Sequence, residues 1–399
     1  MSLKTWGMIA LGAVVGMTGA APASAQSAVA VERSGNTFHV AVCARNNPRG
    51  TARCFAHVVT DARGVPMNGK TRPNATAAPS GYGPSDLRSA YGITTNGTAT
   101  IAIVDSGGYS KAESDLAVYR AQYGLPACTT GNGCFKKLNQ SGVQGSYPAD
   151  DTGWSQESAL DLDMASAMCP GCKLILVEAN SATLANLAAA VRTAASTGAL
   201  VISNSYGGSE SGTTGYESAY NQPGKAVTVS TGDSGYGVQF PASSPHVIAV
   251  GGTHLVRASN TRGWTETAWT SGGSGCSSTY SKPSFETDGL CTKRMEADIS
   301  AVGDPNTGVA VYGPGRSGSQ WLVFGGTSVS APLIGGIYGV AGKGPGDASK
   351  IWSNLGNGSA INDVTSGYNG HCRGLYYCTA GSGYDGPTGV GTPNGLGAF

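Results

Sequence analysis

The sequence predicts an α/β fold with a mostly parallel central sheet, helices on both faces and disulfide-bridged loops. From about residue 81 onward, strand-like and helix-like segments alternate, which is the pattern of parallel strands joined by crossover helices. Ten cysteines fall in close pairs along the chain. The 62 glycines among 399 residues, of which only 12% are charged, indicate many tight turns and close backbone approaches.

The predicted elements follow in chain order. Residues 26–80 are interpreted as a short pre-segment and linker, a candidate for a reduced propeptide, with strand-like runs at 38–43 and 54–60 that are able to form a hairpin. In the domain that follows, residues 81–399, the predicted strands are 100–104, 173–178, 200–205, 226–231 and 247–250, and the predicted helices are 113–123, 155–168, 182–196 and one that begins near residue 328. Functional loops lie at the carboxyl ends of parallel strands, where the sequence has Asp105, Ser205 and Asp233.

The first 25 residues have the pattern of an export signal. Lys4 precedes an apolar run from about residue 9 to 20, and Ala23-Ser24-Ala25 fits a small-x-small cleavage site. The alternative, a membrane anchor, is disfavoured because the run is short for a bilayer span. The formal net charge of +1 gives no electrostatic reason to bind nucleic acid or a membrane surface. We therefore expect a secreted protein, and a monomer.

The cysteine pairs agree with export. In a secreted chain we interpret them as five local disulfides, although spacing alone does not fix their connectivity. Cys169 and Cys172 could instead form a redox or zinc motif, but they follow a predicted helix, whereas reactive thiolates are favoured at helix starts, and no second ligand pair has the spacing of a zinc site. The five pairs are Cys43/Cys54, Cys128/Cys134, Cys169/Cys172, Cys276/Cys291 and Cys372/Cys378.

The most informative stretch is Gly325-Gly326-Thr327-Ser328-Val329-Ser330-Ala331-Pro332. Glycines allow a tight turn, and Ser328 then opens an apolar helix whose first turn is expected to include Pro332. A serine at a helix start has free N–H groups and the positive dipole end beside it, which favours an alkoxide. The sequence therefore makes Ser328 a candidate nucleophile, with a simple N-cap as the alternative.

A serine nucleophile needs a base within hydrogen-bond reach. None of the five histidines opens a helix in a His-Gly-Thr type motif, so a His-dependent subtilisin mechanism lacks its base. Glu157 and Asp161 are four residues apart and share one face of a half-buried helix. Two carboxylates in one site titrate as a coupled pair that can hold one proton and accept another. The alternative is an acidic helix start on a solvated face.

Asp233 lies in a Gly-flanked turn after a predicted strand. A protonated carboxyl group in an apolar site can donate a hydrogen bond to a developing oxyanion. That role requires Asp233 to keep its proton, so activity should fall as the pH rises. The alternative is an Asx-turn at a strand end.

Together these motifs resemble the sedolisin family of serine-carboxyl peptidases, which have a subtilisin-like fold. The resemblance covers roughly residues 81 to 399. The order of the motifs along the chain is more specific to the family than any single motif. The motifs are Glu157-x-x-x-Asp161-Leu162-Asp163, Ser203-Asn204-Ser205-Tyr206-Gly207-Gly208, Ser230-Thr231-Gly232-Asp233-Ser234-Gly235, Phe240-Pro241-Ala242-Ser243-Ser244-Pro245 with Ala249-Val250-Gly251-Gly252-Thr253, and Gly326-Thr327-Ser328-x-Ser330-Ala331-Pro332.

The resemblance implies a secreted enzyme that hydrolyses peptide bonds of polypeptide substrates at acidic pH. Ser328 is then the nucleophile, Glu157 its base, Asp161 the partner of Glu157, and Asp233 the oxyanion donor. Asp105 is a candidate outer carboxylate linked to the acid pair. The edge formed by Ser205, Tyr206 and Gly207 is expected to pair with the substrate backbone.

The resemblance also implies one structural calcium ion near the C-terminus. Carboxylates of Asp363 and Asp385 with carbonyls of Val364, Gly381 and Gly383 form an oxygen-only set, which calcium prefers. From the residues alone, a Gly-rich turn with two surface aspartates is the alternative.

Two alternatives stay open. We favour an endopeptidase, and a tripeptidyl-peptidase of the same family is the alternative. A catalytically silent secreted binding protein on the same fold is the main rival. Relatives usually have a large pro-domain, whereas only residues 26–80 are available here, and processing is expected shortly before Gly83.

Overall fold

The computed structural model describes residues 30–67 and 79–399. The predicted export signal and most of the predicted linker lie outside these residues. Among the described helices, none has the length and apolar character needed to cross a membrane.

The secondary structure of the described residues comprises the following elements. The strands are β1 Glu32–Ser34, β2 Thr37–Ala41, β3 Arg53–Cys54, β4 His57–Thr60, β5 Thr100–Ser106, β6 Phe135–Asn139, β7 Lys173–Ala179, β8 Val201–Asn204, β9 Tyr206–Gly207, β10 Ala226–Ser230, β11 Ile248–Arg257, β12 Trp264–Ala268, β13 Gly275–Ser281, β14 Lys293–Glu296, β15 Ile299–Val302, β16 Val309–Gly315, β17 Gly318–Gly325, β18 Ile361–Asn362 and β19 Thr392–Pro393. The helices are α1 Pro84–Ala90, α2 Ala112–Gln122, α3 Thr152–Met168, α4 Leu184–Ser196, α5 Thr327–Ala341 and α6 Ser349–Trp352.

The central sheet has eight strands, seven of them in the order β12-β11-β10-β8-β5-β7-β6, with β15 paired to β11. The pairings are parallel except for the edge strand β12. Since β5, β8 and β10 are neighbours, their carboxyl ends lie side by side. This topology brings Asp105, Ser205 and Asp233 to one edge of the sheet, as the sequence predicted.

Helices cover both faces of this sheet, which confirms the predicted fold class. Residues of α1, α2, α3 and α5 belong to one hydrophobic core, and residues of α4 belong to a second core on the opposite face. The predicted bounds differ most for β11, which continues to Arg257. Its second half pairs with β12 and β15, and this long-range pairing leaves no local sequence signal.

A second sheet has five antiparallel strands in the order β1-β2-β4-β17-β16. The predicted hairpin is present, with Phe38 opposite Thr60, and β4 also pairs with β17 at Phe324 and Gly325. The segment before residue 81 is thus part of the same sheet as the strand that leads to Ser328. Without β4, that edge of β17 would present unpaired backbone groups.

Helices α3 and α5 pack closely against each other. A Cβ atom on Gly336 of α5 would lie 2.5 Å from the Cβ of Met168 on α3, so only glycine permits this approach. Pro332 is the sixth residue of α5, in the second turn, which corrects the expectation that it lies in the first. Its missing N–H leaves the Ser328 carbonyl without a helical donor, and the Ser205 hydroxyl lies 3.5 Å from that oxygen.

The five disulfides join the cysteines in the predicted local pairs. Cys169 and Cys172 are bonded to each other, so neither thiol is available as a zinc ligand in this structure. The bonds are Cys43–Cys54, Cys128–Cys134, Cys169–Cys172, Cys276–Cys291 and Cys372–Cys378.

A first prediction concerns Asp163, which is buried on α3 and accepts a hydrogen bond from the Tyr312 N–H at 3.0 Å. Burial raises the pKa of Asp163 well above its usual value. The folded state therefore binds this proton more tightly than the unfolded state, whose pKa is about 4. The resulting stabilisation is present below pH 4 and is lost as the pH rises through the folded pKa.

We expect Asp163→Asn to remove this loss of stability with rising pH, since asparagine does not titrate. Each unit by which the pKa is raised corresponds to about 1.4 kcal/mol. Thermal unfolding of the two proteins from pH 4 to 8 measures the effect. The variant should gain stability over the wild type as the pH increases, and a difference that does not change with pH would contradict the prediction.

Candidate active site

Ser328 is the second residue of α5 and is fully buried. Gly326 caps the helix with φ of +105°, a conformation that favours glycine. The Ser328 hydroxyl donates to the Ser205 carbonyl at 3.2 Å. The predicted turn thus places a serine hydroxyl at a helix start, at the carboxyl edge of the sheet.

Glu157 and Asp161 lie together on α3, both fully buried. Burial raises the pKa of Glu157 well above its usual value, as does the charge of Asp105, and the neighbouring Ser328 hydroxyl and Ala56 N–H offset part of this rise. Burial likewise raises the pKa of Asp161, with further contributions from Asp105 and Glu157. The Ser205 hydroxyl donates to Asp161 Oδ1 at 2.8 Å. The two carboxyl groups thus lie in one buried cluster on α3.

Asp105 is the third buried carboxyl group of this cluster. The Ser158 hydroxyl, one residue after Glu157, donates to Asp105 Oδ2 at 2.8 Å. Burial raises the pKa of Asp105 to about 7. Asp105, the candidate outer carboxylate, therefore interacts electrostatically with Glu157 and Asp161. Asp163 instead contacts β16 and is not part of the cluster.

Asp233 follows β10 and lies against the start of α5. Its Oδ1 accepts hydrogen bonds from the Thr327 N–H at 2.9 Å and the Thr327 hydroxyl at 2.7 Å. Its Oδ2 lies 2.7 Å from the position that a Cβ atom on Gly326 would take. The carboxyl group is thereby held in one orientation by Thr327.

The chain's own N-terminal segment fills this space. Strand β3 pairs antiparallel with β9, with Arg53 opposite Gly207 and Cys54 opposite Tyr206. The Phe55 N–H donates to Ser328 Oγ at 3.1 Å, and the Ala56 N–H donates to Glu157 Oε2 at 3.0 Å. Sequence reasoning missed these contacts, because Phe55 is 273 residues from Ser328 and no local pattern links them.

His57 is a further neighbour of Asp233 that the sequence did not indicate. Its Nε2 lies 3.3 Å from Asp233 Oδ2, and its Nδ1 lies 2.9 Å from the Nδ1 of His39. Burial, followed by the charge of His57, lowers the pKa of His39 to about 4. In the described residues His57 makes no hydrogen bond to Ser328, and Glu157 remains the candidate base.

The predicted substrate edge, Ser205 to Gly207, is occupied by β3 and is buried. A cavity of about 910 Å³ is lined by none of the predicted site residues. A smaller cavity of about 430 Å³ opens beside Asp233 and Ser234. The cleft is thus closed by the segment that lies in it.

The predicted calcium residues lie together near the C-terminus. Asp385 is buried and Asp363 is exposed. Burial raises the pKa of Asp385 to about 7, and the charge of Asp363 adds to this. The carbonyl groups of Val364, Gly381 and Gly383 accept no hydrogen bond within the described residues. The Asp363 carboxylate accepts a hydrogen bond from the Gly383 N–H and the Asp385 carboxylate accepts one from the Gly381 N–H, both at 2.9 Å. The predicted ligands are thus neighbours, and their oxygen atoms are of the kind that calcium prefers.

Comparison with known proteins gives consistent similarities. The model of the subtilase family matches residues 145–346. The chain is 31% identical to kumamolisin of Bacillus sp. (strain MN-32) over 364 residues, covering 80% of this chain and 63% of that protein. It is 28% identical to sedolisin of Pseudomonas sp. (strain 101) over 366 residues, covering 80% and 60%. The chain thus spans less than two thirds of the length of these two curated relatives.

The fold is also similar to a solved structure of Pseudomonas sedolisin, a serine-carboxyl proteinase complexed with pseudo-iodotyrostatin. The TM-score is 0.68 at 27% sequence identity, over 80% of this chain and 96% of that one. Sequence, fold and the geometry around Ser328 agree: the chain belongs to the subtilase family, and within that family it is similar to the serine-carboxyl peptidases.

Proposed function

We propose that this protein is a serine-carboxyl peptidase that hydrolyses peptide bonds of polypeptides in acid. The observation that carries the proposal is the buried acid pair on α3 next to Ser328. Burying two carboxyl groups side by side is costly, and the proposed chemistry is a reason for that cost. The proposed chemistry gives each of them a role.

In the proposed mechanism, Ser328 attacks the carbonyl carbon of the substrate peptide. Glu157 takes the hydroxyl proton and then gives a proton to the leaving amine. Asp161 holds Glu157 in place and stabilises its protonated form, and is itself held by Ser205. Hydrolysis of the ester to Ser328 by water repeats the same proton transfers in reverse.

Asp233 is proposed to stabilise the oxyanion of the tetrahedral intermediate. Thr327 fixes one of its oxygens through two hydrogen bonds, so the other carries the proton that is donated. A neutral carboxyl group donates a hydrogen bond, whereas a carboxylate repels the oxyanion. The proposed activity is therefore expected at acidic pH.

Substrates are proposed to bind as an added strand on Tyr206 and Gly207. The pairing of β3 with this edge supports the proposal, because it shows that an extended backbone fits there. We propose endopeptidase action, and nothing in the described residues forms an obvious amine-capturing block. A tripeptidyl-peptidase of the same family is the second candidate. A silent binding protein would not require Ser328, Glu157, Asp161 and Asp233 to be intact together.

We also propose a secreted protein with one structural calcium ion. The five disulfides support export to an oxidising compartment. The calcium would be held by the carboxylates of Asp363 and Asp385 and the carbonyls of Val364, Gly381 and Gly383. The ion would neutralise the charges of the two carboxylates and so stabilise the fold, away from the reacting atoms.

The activity is tested with a denatured protein as substrate from pH 3 to 8. We expect cleavage that is strong in acid and fades toward neutral pH, that is absent in Ser328→Ala, and that falls by about 10²- to 10⁴-fold in Glu157→Gln. The same assay is run on purified chain whose N-terminal segment has been removed, for comparison with the full chain. A maximum at neutral or alkaline pH would mean that the base is misassigned, and inert protein in every form would favour the binding-protein alternative.

The oxyanion role is tested with Asp233→Asn. The asparagine oxygen can still accept from Thr327, while its amide group donates at every pH. We therefore expect the ratio of variant to wild-type kcat/KM to rise as the pH increases. Asp233→Ala is the control and should lose about 10²- to 10³-fold at each pH. A ratio for Asp233→Asn that stays constant with pH would argue against a protonated donor.

The calcium proposal is tested by thermal unfolding with and without a chelator. Calcium at 100 times its Kd stabilises the folded state by about 2.7 kcal/mol, so chelation should lower the melting temperature of the wild type. Asp385→Asn should have a lower melting temperature that no longer responds to the chelator. Asp347→Asn is a matched control, because Asp347 only accepts from the Ser349 N–H at 2.9 Å. Equal chelator effects in all three proteins would reject the site.

A further inference from the structure

Three side chains of metal-ligating type lie on one face of the second sheet. Strands β1, β2 and β4 are neighbours in that sheet. Glu32 on β1 lies directly opposite His39 on β2. His39 in turn lies opposite Val59 on β4, and His57 is two residues before Val59 on the same strand. Because side chains two residues apart point to the same face of a strand, this register brings Glu32, His39 and His57 together.

The ligand atoms of these side chains are close enough to share one ion. One ring nitrogen or carboxylate oxygen from each residue lies within 4.8 Å of the other two. The Nδ1 atoms of His39 and His57 are 2.9 Å apart. Two nitrogens bound to a tetrahedral zinc ion at about 2.0–2.1 Å lie about 3.4 Å from each other, so a small shift of the two rings would admit the ion.

The second ring nitrogen of His57 has the neighbour that a metal-binding imidazole commonly has. Its Nε2 lies 3.3 Å from Asp233 Oδ2. A carboxylate in that place favours the proton on Nε2, which leaves the lone pair of Nδ1 facing His39. The rings of His39 and His57 are both buried, so protein contacts set their orientation.

Glu32 supplies the negative charge of the cluster. Its Oε1 atom is buried and has no hydrogen-bond partner among the described residues. Its Oε2 atom pairs with the guanidinium group of Arg45, whose side chain is 42% exposed. A buried carboxylate oxygen without a donor is costly, and a bound cation would remove that cost. Because Arg45 is near the surface, its side chain can turn into solvent when another cation binds Glu32.

From these contacts we propose that Glu32, His39 and His57 bind one divalent transition-metal ion, with water as the fourth ligand. Two imidazoles and one carboxylate suit zinc, whereas calcium and magnesium prefer ligand sets of oxygen atoms alone. The site therefore differs in chemistry from the proposed calcium site at Asp363 and Asp385. It goes beyond the proposed peptidase function, because none of its three ligands takes part in the proposed reaction.

The ion would join the side chains of three neighbouring strands. Strand β4 begins immediately after Ala56, whose N–H donates to Glu157. A metal ion that binds only the folded arrangement stabilises that arrangement by mass action. Metal binding would therefore hold the N-terminal segment in its position across the cleft.

The test is zinc binding to the full chain at pH 7, measured by titration calorimetry and by thermal unfolding. All samples carry Ser328→Ala, which prevents proteolysis through Ser328, and contain excess calcium, which fills the proposed calcium site. We expect one zinc ion per chain and a melting temperature that rises by about 3 °C or more at saturating zinc. Cobalt(II) added in place of zinc should give the strong visible absorption of a four-coordinate site.

Three variants test the ligands. His39→Gln, His57→Gln and Glu32→Gln should each weaken zinc binding by at least about tenfold. If a histidine variant is unstable, Glu32→Gln decides the question, because Glu32 is partly exposed and glutamine keeps its shape. His246→Gln is the matched control, since His246 also lies beside a carboxylate, 3.8 Å from Glu217, but outside this sheet. Its zinc affinity should stay within about twofold of that of the parent.

Arg45→Gln tests the competition for the Glu32 carboxylate. Without the guanidinium group, both oxygens of Glu32 are available and a positive charge is removed, so zinc should bind about threefold or more tightly. The same change made together with Glu32→Gln should give a smaller gain, because the carboxylate that Arg45 blocks is then absent. An equal gain in both backgrounds would mean that Glu32 is not a ligand.

Hydrogen exchange locates the bound ion. Zinc should slow backbone exchange in β1, β2 and β4. The proposal is wrong if zinc does not bind, if His39→Gln and Glu32→Gln leave its affinity unchanged, or if exchange slows only around Asp363 and Asp385. The contact between His39 and His57 would then be a hydrogen bond between two rings. Each of these results leaves the peptidase proposal untouched, because no step of the test measures hydrolysis.

Discussion

The close contact between α3 and α5 is the constraint on which the site depends. One helix carries the acid pair and the other carries Ser328, so the distance between their axes sets the distance between base and nucleophile. Gly336 allows that approach, since any side chain there would overlap Met168. The packing of two helices against one face of the sheet therefore decides whether Glu157 can reach a serine hydroxyl at all.

Desolvation connects this packing to the chemistry. Three carboxyl groups, Asp105, Glu157 and Asp161, are fully buried within one cluster, and burial is the first cause of the raised pKa of each. In such surroundings protonated carboxyl groups are favoured. A fold of this kind is more stable in acid, in which its core acids are neutral, whereas the proposed mechanism requires Glu157 to be a carboxylate when it takes the proton of Ser328.

The N-terminal segment contributes to both the fold and the site. Strand β4 completes a sheet with β17, and the residues just before it lie across the nucleophile. The Cys43–Cys54 disulfide constrains the loop that enters the cleft. A segment of this length can close the cleft without a large separate domain, because it uses strand pairings on both sides of Ser328 instead of an extensive surface.

The sequence by itself predicted the fold class, paired the cysteines by proximity, and identified Ser328, Glu157 and Asp161 as the candidate nucleophile and acid pair. These follow from short-range patterns: strand and helix periodicity, cysteine spacing, and two acids on one helical face. Only the tertiary structure decided what lies in the cleft. The pairing of β3 with β9, the contact of Phe55 with Ser328 and the position of His57 beside Asp233 join residues more than 150 positions apart. Backbone pairing between residues so far apart in the sequence depends on the assembled sheet, and no local spacing of residues predicts it.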